Sequence, residues 1–500
     1  MNSSVFPKTN ARRVANVSLA FLIGVCSLVL CVGASTAQEF KEASVDETLA
    51  AQKGSVLQSG DATQLKNFLT KYYLARWTVR ANGRDLVKYR QELENDATSL
   101  SGAAQTEFLK AVVDTLKGYA GSDKCYPACR FNAVLAIGTL NTAAGDGRNS
   151  AGTPYADAIP TLAKIVTSTS DVPDYVRYGA LIGLVRHAQI GIADEKLRSG
   201  VKTTFSKVLN PQYAEEHNIR EEIFECFQEN AVIGLASFKS AEGTKGGTGT
   251  LDLFRQMIEN KELSFELRCI AARAIGEMNL ENVKYDYAGL GRSLVTLARD
   301  FCVSESAYID SELVRDQVKS AANSMNGGMG GMGGPGMSGS TGGLSGMGGD
   351  MMGGMGAGPG MGAGPGMSGG FGGMTGTIQN EKTMEAIVAR VQYGFESIQL
   401  AIKGKKDGGQ GVLAKLDEKD EKQKEVAQTL KDALDEFKST NEFIEEGPKN
   451  GGGFGGIGLG AGDMYGGASN SSIKVDASSM KDHLLEKKLK FNELLGIDSY

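Results

Sequence analysis

The stretch DVPDYVRYGALIGLVRHAQI, residues 171–190, decides the fold class. Asp171, Val172, Pro173 and Asp174 form a turn, and Asp174 is placed to cap the helix after it. In that helix the apolar residues recur at three and four, the period of an amphipathic helix. Along it an arginine, a small residue and a large aliphatic residue stand in order: Arg177, Ala180 and Leu184. The same order appears upstream in CRFNAVLAIGTL, as Arg130, Ala133, Ile137 and Gly138. Downstream it appears twice more. FQENAVIGLASF carries Ala231 and Leu235 with Gln228 in the arginine's place, and LRCIAARAIGEM carries Arg268, Ala271, Ile275 and Gly276.

The alanines lie roughly 40 to 50 residues apart, a two-helix period with loops of variable length. A second apolar helical stretch precedes each copy, at 108–116, 159–166, 197–209 and 251–258. Small side chains on the second helix of each pair let neighbouring helices approach until their larger residues interdigitate. No sustained alternation suggests strands, so the expected fold is all-α. Ser264 is a candidate cap for the helix beginning beside it. Stretches at 65–79 and 86–100 read as an atypical end pair, and 293–302 with 307–318 as a fifth pair.

The run Asp174, Val176, Arg177, Ala180 resembles the opening of the second helix in the HEAT-repeat family. The resemblance covers residues 105–321 and implies a HEAT-like α-solenoid of about five to six helix pairs. It implies that Arg177, and by position Arg130 and Arg268, tie successive repeats together. The aspartate is absent elsewhere, for Pro127 and Phe265 stand in its place in the first and fourth copies. Some HEAT-like families are lyases, so the fold alone does not exclude an enzyme, and a lyase or hydrolase with an unrecognised site is a further alternative.

The repeat region occupies 61–325, after a linker at 38–60 and an export signal at 1–37. In that signal Arg12 and Arg13 precede the apolar run 17–32, and Ser35 and Ala37 supply small residues before a cleavage after Ala37. An uncleaved anchor is the alternative, because 15–33 is nearly long enough to span a bilayer. Of 67 glycines, most of the clustered ones come after the repeats. Residues 326–377 are a glycine and methionine tract that cannot form a core and reads as a tether. Met325, Met329, Met332, Met337, Met347, Met351, Met352, Met355, Met361, Met367 and Met374 are soft thioethers that could buffer copper, though neither histidine nor cysteine accompanies them.

Residues 378–446 read as a helical hairpin, with Ile387, Val391, Phe395, Ile398 and Ile402 on one face and Val426, Leu430, Leu434 and Phe437 on the other helix. A glycine-rich linker at 447–472 leads to a last helix within 473–500, with Leu484, Leu485, Phe491 and Leu495 as its apolar residues. These C-terminal helices are expected to reach the protein partner, another copy of the chain or the solenoid itself.

Chemistry is harder to find. A net charge of −6 gives no basic face for nucleic acid. His187, His217 and His483 are widely separated and form no metal-ligand pair. Gly453, Gly455 and Gly458 match GxGxxG without a preceding strand, and the glycines at 243–249 lack phosphate-loop spacing around Lys245. Beyond the signal, the cysteines are Cys125, Cys129, Cys226, Cys269 and Cys302. Cys125 and Cys129 are placed for a local disulfide, or serve like the others as small buried residues. The expectation is therefore a non-catalytic scaffold of the bacterial envelope, periplasmic or secreted, without cofactor, that holds a protein partner on its helical surface.

Overall fold

The computed structural model describes residues 40–59, 61–145, 152–169, 172–241, 249–327, 381–405, 410–447 and 475–497. The expected signal, the glycine and methionine tract beyond Gly327, the second glycine tract and the loop around Lys245 lie outside them, as does Asp171. The described residues are all-α apart from a two-stranded antiparallel ribbon, and they divide into two compact units, Met1–Leu253 and Phe254–Tyr500. Among them no helix is long and apolar enough to cross a membrane.

In the first unit the chain runs through α1 (Lys53–Ser59), α2 (Ala62–Phe68), α3 (Leu86–Ser99), α4 (Gly102–Gly121) and α5 (Pro127–Thr139). The ribbon comes next, β1 (Asn141–Ala143) pairing with β2 (Thr153–Pro154). Then come α6 (Ala158–Thr167), α7 (Asp174–Ile190), α8 (Glu195–Val208), α9 (Gln212–His217) and α10 (Glu221–Ser237). The stretch expected as a linker hydrogen-bonds to the unit from its start, with side chains largely exposed until α1. Lys41 N–H donates to the Lys124 carbonyl, Ala43 N–H to the Thr78 hydroxyl, and Val56 and Leu57 of α1 are buried. Polar composition suggests a linker there, but Asp46 caps a 3₁₀ turn, Glu47–Gln52, that leads directly into α1.

α4 lies against α5, α6 against α7, and α8 against α10, so each second helix packs on the first helix of its own pair. The second helices also pack on one another, α5 on α7 and α7 on α10. Ala133, Ala180 and Ala231 are fully buried on these helices. Glycine sets the closest approach: a Cβ on Gly138 would stand 2.6 Å from the Gly183 Cα, so α5 and α7 cross backbone to backbone. Methyl groups there would force the helices apart.

The second unit receives the end of α11 (Thr250–Glu259), within which the division falls, and continues with α12 (Phe265–Glu277), α13 (Tyr287–Gly327), α14 (Glu381–Lys403), α15 (Glu421–Glu446) and α16 (Ala477–Leu494). The expected fifth pair is instead one helix of 41 residues. The polar Ser304, Glu305 and Ser306 suggest a break, but no glycine or proline interrupts the chain there. Ser306 returns its hydroxyl to the Cys302 carbonyl at 2.7 Å, a bond that keeps the polar residue inside the helix.

α14 packs on both α12 and α13, α15 on α13, and α16 on α13 and α15. The C-terminal helices therefore form one body with the last repeat helices, not a separate hairpin. Their core is a chain of aromatic contacts across five helices: Phe265 to Phe301, Phe301 to Phe395, Phe395 to Phe437, and Phe437 to Phe491 at 5.0–6.3 Å between ring centroids. Ile387, Val391, Ile398 and Ile402 are fully buried beside it. Gly276 meets the Leu400 backbone, where a Cβ would come within 2.3 Å of the carbonyl oxygen.

Candidate functional site

The repeated arginines share one task. Helix C-termini leave carbonyls without intrahelical partners, and a buried end must find donors. Arg130 donates its Nε to the Ala120 carbonyl at the end of α4, 3.0 Å away. Arg268 does the same for the Ile258 carbonyl at the end of α11, at 2.8 Å. Arg177 is the fullest case: its Nε bonds the Val172 carbonyl at 3.0 Å, and its Nη1 reaches the carbonyls of Ser168 at 2.5 Å and Val166 at 3.3 Å. All three arginines are buried. Each closes the first helix of its own pair, and each also reaches past it, Arg130 to Tyr175, Arg177 to Tyr213 and Arg268 to Asp300. Tyr213 adds a bond from a neighbouring element, its hydroxyl donating to the Val166 carbonyl at 2.8 Å.

The other residues of the pattern are packing residues. Ala271, like the three earlier alanines, has no exposed surface. Gln228 is buried in the arginine's position. Asp174 opens α7 but does not cap it, because Pro173 is the N-cap and no side-chain cap bond forms. Burial pushes its carboxyl pKa up, with the Arg177 guanidinium acting the other way. Ser264 does cap α12, accepting from Leu267 N–H at 3.3 Å.

In the second unit Glu305 is fully buried and holds Arg390 through both guanidinium arms, at 2.8 and 3.2 Å. This pair joins α13 to α14. The Arg390 guanidinium also stacks over Tyr308 at 4.8 Å. A charge buried without such a partner would be strongly destabilising, so the ion pair fixes where α14 sits. Nothing in the local sequence marks it; the two residues lie 85 apart.

Three concave features stand out. A groove of about 710 Å³ in the first unit runs between residues 41–43, α2 and α4, with Lys66, Lys110, Ala111, Tyr119 and Cys125 in its walls. A cleft of about 460 Å³ lies between α11 and the start of α13, where Arg255 bonds Glu259 and Asp286 at 2.8 and 3.1 Å. Lys261 and Arg268 both face Asp300 beside it, at 3.6 Å, so its cations are matched by carboxylates. A third hollow, about 330 Å³, surrounds the Glu305–Arg390 pair.

The thiols divide by environment. Cys269 and Cys302 are buried and burial pushes both pKa values up, Cys269 to about 12. Cys226 is exposed. Cys125 and Cys129 are free, buried, and within hydrogen-bonding reach of each other. The Cys129 thiol, the Ser122 hydroxyl and the Arg130 charge together bring Cys125 down to about 7 against the cost of its burial, and the same contact drives Cys129 up.

His187 is buried at the end of α7, and burial lowers its pKa to about 4; among the described residues Nε2 finds no partner. His483 stacks on Phe443 and is lowered likewise. Among the described residues no cluster of histidine, cysteine and carboxylate side chains could hold a metal. No protein-family model, curated protein or solved structure matches the chain.

Proposed function

We propose that the chain is a non-catalytic, HEAT-like repeat scaffold that holds a protein partner on the faces of its helix pairs. The observation that carries this reading is the recurrence of one packing device. A buried arginine closes the first helix of a pair while, three residues later, a buried alanine receives a neighbouring helix. Units built this way present long, regular side-chain surfaces, the use to which stacked helix pairs are put. The export reading rests on residues 1–37 and places the scaffold in the bacterial envelope.

Photo-crosslinking residues placed in intact cells test it. Exposed positions Gln189 and Glu222 sample α7 and α10, while Lys110 and Lys196 sample α4 and α8. The reading expects a discrete crosslinked protein from one of these sets, and loss of binding by the purified partner when that face is substituted. Crosslinks absent from all four positions, or equally diffuse from all four, would count against a scaffold.

A further inference from the structure

The start of α5 brings together three things that a reactive thiol requires: a second thiol, a route for a reagent, and a difference in access. Cys125 lies two residues before the helix and Cys129 is its third residue, so the backbone turns between them at Tyr126. That turn lets the two sulfurs face each other. Cys125 stands in the wall of the 710 Å³ groove, while Cys129 has no exposed surface. The first helical turn of α5 also directs its free N–H groups toward this end, which favours a thiolate.

We propose that Cys125 and Cys129 form a thiol–disulfide exchange site, with Cys125 attacking, Cys129 resolving, and a low-molecular-weight disulfide of the glutathione type entering the groove as oxidant. The Cys125 thiolate, its proton released to water, attacks one sulfur of R–S–S–R. That bond breaks and RS⁻ leaves, taking up a proton. Cys129 then loses its proton and attacks the Cys125 sulfur, forming the Cys125–Cys129 bond and expelling the second RS⁻, which is protonated in turn. The protein dithiol loses two electrons and one disulfide becomes two thiols. The order of attack is set by access, since only Cys125 lines the groove. The lowered Cys125 pKa supports the same order.

The test uses the full chain with the exposed Cys226 changed to Ser, equilibrated in mixtures of reduced and oxidised glutathione, then alkylated and read by peptide mass. Cys125 and Cys129 should lose alkylation together, as a single two-electron couple. Before oxidation, Cys125 should alkylate on the order of tenfold faster than Cys129. Cys129→Ser should accumulate a glutathione adduct at Cys125, with Trp77 fluorescence confirming its fold. The rate comparison needs no variant at either thiol, so it stands even if Cys129→Ser fails to fold. Both thiols remaining alkylatable in the most oxidising mixture, or Cys129 reacting first, would overturn the proposal.

Discussion

Arg177 shows what a side chain can and cannot announce. Its type and spacing were legible, because arginine ahead of alanine on a helical face recurs at residues 130, 177 and 268. Its partners were not, since they are backbone carbonyls at a helix end, and a carbonyl leaves no mark in the sequence. Asp174 misled for the complementary reason: an aspartate after a proline looks like a cap, yet Pro173 takes the cap position and Asp174 begins the helix. Arg177→Ala would remove the guanidinium donor from the part-buried Ser168 and Val172 carbonyls, while Val166 keeps the Tyr213 hydroxyl, a loss of about 2 kcal/mol. Arg177→Lys should recover little of it, because an ammonium cannot reproduce the guanidinium fan. Trp77, the one tryptophan, is buried in the first unit and reports that unit's urea unfolding directly.

His187 carries a pH dependence of definite sign. It is a base whose folded-state pKa lies at about 4, below its ordinary 6.5, because burial disfavours the charged ring. The unfolded chain takes up the proton near pH 6.5 and the folded chain does not until about pH 4. Stability is therefore full above pH 6.5 and falls with pH, by about 2 kcal/mol at pH 5 from this residue. In His187→Asn the drop in urea midpoint between pH 7 and pH 5 should shrink correspondingly. An unchanged slope would show that His187 does not contribute to it.

At the level of elements, periodicity located the helices but not always their ends. The faces at 387–402 and 426–437 are buried as their spacing requires. α13 was harder, because a buried Glu305 resembles a loop residue until its partner Arg390 is known. That pairing changes the meaning of the glycine and methionine tract. Arg390 meets Glu305 and Phe395 meets Phe301, so α13 and α14 run antiparallel as neighbours. The last turns of α13 extend some 20 Å past the start of α14 by helical rise, a gap that about 10 extended residues can span. The sequence between them is about 50 residues long. Replacing 328–380 with about 10 glycine and serine residues should leave unit 2 folded and, by loop closure, about 1.5 kcal/mol more stable. Its urea midpoint by circular dichroism checks this; loss of the α14 helical signal would mean that the tract itself is needed to place the helix.

For the whole molecule, the class was legible and the docking was not. An amphipathic face states that something must cover it, but not what. The helices at 378–446 and 473–500 read equally as docking on the repeats, on another copy or on a partner, and within this chain they complete the body of unit 2 through the run Phe301, Phe395, Phe437 and Phe491. The pair of α13 with α14 is assembled from chain on both sides of the tract. The most direct measurement introduces a protease site within 328–380, cuts the folded protein, and tracks the two fragments by size-exclusion chromatography at dilute concentration. The two fragments should elute together at the size of the uncut chain and separate when Gly276→Val and Arg390→Ala are combined. Fragments that separate on cutting the unmutated chain would contradict that pairing.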